Sequence, residues 1–181
     1  MLCLRFFYIN FYSANLKMKL IYKLNQLSKV QKYSIFLSLL ILIISLTQPA
    51  FYIDRPENPA AWAESWMLFL LGWTFLFGGG ITGFLFWCAN PIYIIGLILI
   101  IRNNKSGFWF SLIATLISFG FSLIDEIVAS SSGSLSKITS LELGYKLWLL
   151  SFIVLTIGTG FNEILLNVRK KNVILSKQNN H

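Results

Sequence analysis

The residues in this chain that could do chemistry are few, and most of them lie inside apolar runs. Asp125 and Glu126 are the one adjacent pair of acids. At the mouth of a cavity such a pair could hold a cation or pass a proton; at a helix end it is simply solvated. If the run before it is helical, Asp125 extends a polar face made by Ser111, Thr115, Ser118 and Ser122, at spacings of 4, 3, 4 and 3. Glu126 then points about 100° away from that face. Small hydroxyl residues on one face suit helix packing, and they would also suit a polar-lined pathway. Ser34, Ser38, Ser45 and Gln48 form a similar stripe earlier in the chain. Asn90-Pro91 sits in the middle of another apolar run. Pro91 frees the carbonyl one turn back, around Trp87, and in lipid that carbonyl needs a partner. Asn90 could supply one or could bond to another helix. The pair therefore reads as a packed kink, or as a hinge or polar ligand in a cavity. Gly79 and Gly83 make a GxxxG pair, and Gly158 and Gly160 flatten a later run; both are packing signals.

Other chemistry lacks its parts. The single histidine is His181, so a Ser–His nucleophile would have no base. No His/Cys/Asp cluster has metal-ligand spacing, and there is no phosphate-binding or dinucleotide glycine motif. Arg55, Lys137 and Lys146 are too scattered to process phosphate. We expect no catalytic activity, no cofactor and no metal.

The elements that must position these residues are legible from charge. Between Trp66 and Ile101 there are 36 residues without a charged side chain. Comparable runs occur at Val30–Ile53, broken by Lys32, and at Gly107–Ile124 and Leu147–Asn162. A hydrocarbon core of about 30 Å takes roughly 20 helical residues. The expected fold is all-α: a polytopic transmembrane helix bundle with four spans, at about 33–53, 81–101, 107–128 and 145–166. A single straight helix over 66–101 would be about 54 Å long, too long to fit. We read 66–77 as a short apolar helix, interfacial or re-entrant, ahead of the second span. A long kinked span and two full spans are the competing readings.

Charge distribution selects among them. Residues 1–32 carry a net +6, 54–64 carry −2, Arg102 and Lys105 give +2, 125–146 carry −1 and the tail from Glu163 carries +3. With one crossing in 66–101, every basic cluster falls on one side, as the positive-inside pattern requires. The domains expected are a basic cytoplasmic arm at 1–32, a transmembrane domain at 33–166 and a basic cytoplasmic tail at 167–181. Both termini face the cytoplasm on this reading. The link after the third span, ASSSGSLSKITSLE, is Ser-rich and polar and is expected to be mobile. The excess positive charge, +8 overall, suits anionic lipid headgroups at the cytoplasmic face and not nucleic acid. Cys3 and Cys88 are too differently placed to pair as a disulfide. Met18 opens a basic lead-in to the first span, so residues 1–17 are either an upstream extension or a flexible arm.

Gly72-Trp73, the Trp-x-Ala-Asn-Pro segment from Trp87 to Pro91 and GYKLWLLS from Gly144 to Ser151 give the chain a resemblance to small uncharacterised bacterial four-span inner-membrane proteins. The likeness covers about residues 60–155 and implies no activity or ligand. The expected role is that of a non-catalytic accessory, immunity-type or structural and binding module in a bacterial inner membrane. Its expected partners are the lipid bilayer and a second copy or another membrane protein. The rival reading is a subunit of an oligomeric transporter or channel for ions or small solutes. It would use Asn90, Ser118, Ser122, Asp125 and Glu126 as polar or ion contacts, and Gly79, Gly83 and Pro91 as packing or hinge positions.

Overall fold

The computed structural model describes residues 26–54, 62–78, 80–128 and 134–178. Helix α1 (Lys29–Leu46) opens with a capping box: the Gln31 N–H donates to Ser28 Oγ, and Gln31 Oε1 accepts from the Ser28 N–H, each at 3.2 Å. The helix stops short of Pro49, whose ring disfavours helical backbone in the residue before it. Strand β1 (Pro49–Ile53) follows, then β2 (Trp62–Glu64). Helix α2 (Ser65–Leu71) runs directly into a 3-10 turn at Gly72–Leu76. Helices α3 (Ile81–Trp87) and α4 (Ala89–Ile101) are interrupted at Cys88. Helix α5 (Ser106–Gly120) ends in a 3-10 turn at Phe121–Leu123, and strands β3 (Glu126–Val128) and β4 (Leu135–Leu141) lead to α6 (Leu143–Gln178).

Four segments are long and apolar enough to cross a membrane: Lys29–Leu46, Ile81–Ile101, Ser106–Leu123 and Leu143–Leu165. At 1.5 Å per residue they measure about 27–35 Å, which fits an integral membrane protein. Side-chain polarity is inverted relative to a water-soluble domain. Phe36, Ile43, Leu116, Ile157 and Phe161 are exposed, whereas Ser38, Ser45, Ser111, Ser118 and Ser151 are fully buried. A hydroxyl facing lipid can bond only its own helix, whereas one turned inward can also bond a neighbouring helix.

Helix α1 packs chiefly on α6, α4 on α5, and α5 on α6. A β-carbon on Gly158 would overlap the Ser34 side chain, so glycine there lets α6 approach α1. The α4–α5 turn closes with a Schellman motif: the Asn104 N–H donates to Leu99 O at 2.9 Å and the Asn103 N–H to Ile100 O at 2.8 Å. Asn103 takes the left-handed conformation that this motif requires, φ 55°.

The bundle is not purely helical, which corrects the all-α expectation. The four strands form one antiparallel sheet in the order β2-β1-β4-β3. The first span therefore ends at Leu46 and not Ile53, because Pro49–Ile53 is a strand. The third helix ends at Gly120, and Glu126–Val128 is again a strand. The Ser-rich link expected to be mobile contains the seven-residue β4. Its residues 129–133, and residues 55–61 of the loop before Trp62, lie outside the described residues. At the other end, the backbone of α6 is helical to Gln178, through the basic tail.

The segment from α2 to the 3-10 turn does not cross the bundle. Its start is tied to the sheet end by Ser65 Oγ, which donates to Gln48 O at 2.7 Å. Just past its end, Gly80 lies against Val128 of β3. Both ends are on the sheet side, so the run 66–101 supplies one segment long and apolar enough to cross a membrane, Ile81–Ile101.

Two apolar clusters result. One lies within the helices around Leu42, Tyr93, Ala114, Phe152 and Leu155. The other lies beneath the sheet around Phe51, Ile53, Phe121, Ile127 and Tyr145. Trp148 packs against both.

Candidate functional site

The polar groups of the spans are tied to one another. Ser38 Oγ donates to Ser151 O at 2.7 Å, so the Tyr93 hydroxyl, 2.6 Å away, must donate to Ser38. This joins α1, α4 and α6, and the Tyr93 ring stacks on Phe152 with centroids 4.3 Å apart. Thr115 Oγ1 donates to Ser111 O at 2.9 Å, which leaves Thr156 to donate to Thr115 across the α5–α6 contact, also at 2.9 Å. Ser111, Ser118 and Ser122 each donate to a carbonyl three residues back on their own helix. Tyr145 donates to Ser118 O at 2.9 Å.

The sequence candidates separate accordingly. Ser118 is buried and receives Tyr145 through its carbonyl, while Ser122 sits half-buried at the sheet end. Asp125 and Glu126 are exposed and not helical: Asp125 follows the extended residue Ile124, and Glu126 begins β3 opposite Lys137. The helical face that was to align Asp125 with Ser122 ends before it arrives. A β-carbon on Gly83 would press on the Phe75 ring at 3.1 Å, so this glycine seats the 3-10 turn against α3. Gly79 lies outside the described residues. Pro91 stands in the first turn of α4, just after the break at Cys88, where the carbonyl it frees belongs to Trp87. Asn90 is 5% exposed, and its Oδ1 accepts the Trp148 indole N–H at 2.8 Å.

Asn90 and Trp148 both line a cavity. It lies at the sheet end of the helices, between the two apolar clusters, and holds about 80 Å³. Ala50, Phe51 and Ile127 of the sheet line one part of it; Phe69, Phe75 and Trp87 line another. Among the described residues, no charged side chain lines it. The polar lining is nearly all committed. Trp87 Nε1 donates to Phe69 O at 2.9 Å, Ser45 Oγ to Leu42 O at 2.7 Å and Ser65 Oγ to Gln48 O at 2.7 Å. An indole nitrogen only donates, so Trp148 must be bonded to the oxygen of Asn90, and the orientation of the amide is fixed. No buried side-chain nitrogen or oxygen is left without a hydrogen-bond partner among the described residues.

Trp87, Trp148 and Tyr145 are cavity residues that sequence reasoning did not single out. The available signal was their depth. A tryptophan or tyrosine within a span must find a hydrogen-bond partner or lose one, and Asn90 is the nearest polar side chain in sequence to Trp87. The described residues hold no group of three or more His, Cys, Asp or Glu side chains that could bind a metal ion. Set against protein families, curated proteins and solved structures, the chain finds no match.

Proposed function

We propose that this protein is a non-catalytic, multi-pass membrane module with a binding or structural role, acting as an accessory or immunity-type subunit in a bacterial inner membrane with both termini cytoplasmic. The observation that carries this reading is the use made of the intramembrane hydroxyls. Ser38, Tyr93, Ser111, Thr115, Ser118 and Thr156 are all engaged in bonds within or between helices. A conduction pathway needs polar groups free to replace the hydration of a passing solute, and these are occupied in holding the helices together. The two acids that could have marked a pathway, Asp125 and Glu126, are exposed at the sheet end.

Purified protein in liposomes should carry no proton or potassium flux above that of empty liposomes. A flux that scales with protein would replace this reading with that of a transporter or channel subunit.

A further inference from the structure

We infer that the outward face of α2 and its 3-10 turn is a contact for the acyl chains of one leaflet, the leaflet on the sheet side, into which the segment dips without reaching the bilayer midplane. Such a contact requires the four apolar segments to lie in a bilayer, and it holds whether or not the module carries a flux. Trp66, Met67, Leu70, Leu71, Trp73 and Phe77 are 44–78% exposed, and no residue from Ser65 to Ile101 carries a charge. A face of this kind is rarely left to water. It also continues into Ile81 and Leu85 of α3, which are exposed on a membrane-length apolar segment. Helices that pack on one another in membranes meet through small residues. The glycine at the centre of this segment, Gly72, is instead turned inward, where a β-carbon would overlap the Trp87 ring. The exposed Thr74 spends its hydroxyl on Leu71 O at 2.7 Å. The outward face is thus large, apolar and suited to lipid chains, with no charge to select a headgroup.

The depth follows from where the segment is tied. Ser65 at its start bonds Gln48 O beside the sheet, and Gly80 just beyond its end lies against Val128 of β3. Its middle is lower: Trp87 Nε1 donates to Phe69 O at 2.9 Å, and Gly72 faces the same indole. Trp87 is six residues along α3 from Ile81, about 9 Å from the sheet end of that helix. One leaflet of the hydrocarbon core is about 15 Å deep. The segment is therefore a shallow bow within one leaflet, held at both ends and at its centre.

The test uses the full chain in phosphatidylcholine liposomes, with Cys3→Ser and Cys88→Ala as background. Leu70→Cys, Phe77→Cys, Ile113→Cys and Leu135→Cys would be made singly and spin-labelled. Collisions with oxygen, which concentrates among acyl chains, would be compared with collisions with a water-soluble nickel chelate. Leu135 is exposed on the sheet and Ile113 is exposed near the middle of the apolar segment Ser106–Leu123, so these two calibrate water and the bilayer midplane. We expect the oxygen-to-nickel ratio at Leu70 to be several-fold above that at Leu135 and below that at Ile113, with Phe77 between Leu135 and Leu70. If Leu70→Cys does not insert, Met67→Cys carries the same expectation. A label at Leu70 shielded from both reagents would mean that a second copy or another protein covers this face, and that overturns the proposal. Nickel access equal to that at Leu135 overturns it too, as does a ratio that matches Ile113. Nickel access at Ile113 itself would show that the bilayer reading had failed, and this contact with it.

Discussion

Tyr93 is the residue on which most of the bundle's internal chemistry converges. It is 1% exposed, its hydroxyl donates to Ser38 on α1, and its ring stacks on Phe152 of α6. Removing one partner of a buried hydrogen bond leaves the other unsatisfied, yet such bonds between membrane helices are worth only about 0.6 kcal/mol on average, with a maximum near 1.7. Ser38→Ala and Tyr93→Phe, made singly and together, should therefore show a coupling energy of about 0.6–1.7 kcal/mol in a reversible unfolding titration. Additive effects would mean that the contact holds no energy of its own. The Asn90–Trp148 bond belongs to the same class and ties α4 to α6 at 2.8 Å. That contact was half legible in the sequence. Asn90 could be flagged because a proline follows it and because amides are scarce in the spans. Its partner could not, because Trp148 is 58 residues away and nothing local connects them.

At the scale of elements, the hydroxyl stripe of α5 was readable because a helix repeats its faces every three to four residues. Ser111 and Ser118 are fully buried, and Thr115 meets Thr156, while Ile113 and Leu116 are exposed. Single cysteines at Thr115 and Ser118 should accordingly be shielded from a lipid-soluble paramagnetic probe, and cysteines at Ile113 and Leu116 should be accessible. Equal accessibility would mean that α5 is rotated from its described orientation. The reading that carried the stripe on to Asp125 failed because helical periodicity was extended past the point where the backbone changes. Phe121–Leu123 tightens into a 3-10 turn and Ile124 is extended, φ −100° and ψ 139°. The sheet was missed for related reasons. β1 is apolar and continues the run of α1, so it read as more span. β4 exposes Leu135, Lys137 and Thr139 and half-buries Ser136, Ile138 and Ser140, so its burial alternates while its hydrophobicity does not. Only the proline at the start of β1 marked the boundary, and proline is tolerated at the first residue of a strand.

For the whole molecule, the clearest consequence is sidedness. All four strands gather at one end, where α1 and α5 finish and α2 and α6 start, and the α4–α5 turn lies at the other. Charge alternation puts that turn with the basic termini. Alkaline phosphatase fused after Asn104 should be inactive in a bacterial host, and fused after Ser134 it should be active. The reverse pattern would invert the protein in the membrane, and activity at both sites would contradict the single crossing between Trp66 and Ile101.

The sheet also sets a timetable for the protein's birth. β1 lies between β2 and β4, yet β1 and β4 are separated by roughly 80 residues of chain. At about 5–20 residues per second of synthesis, β1 leaves the ribosome about 4–16 s before the strand that will cover its second edge. Throughout that interval it presents unpaired N–H and C=O groups, the kind of edge that invites a stranger's strand. Helices α3, α4 and α5 must be threaded in before β4 can arrive. A nascent chain halted at the third helix is thus an open-edged, half-finished object, and a cell that makes this protein must either finish it quickly or guard it.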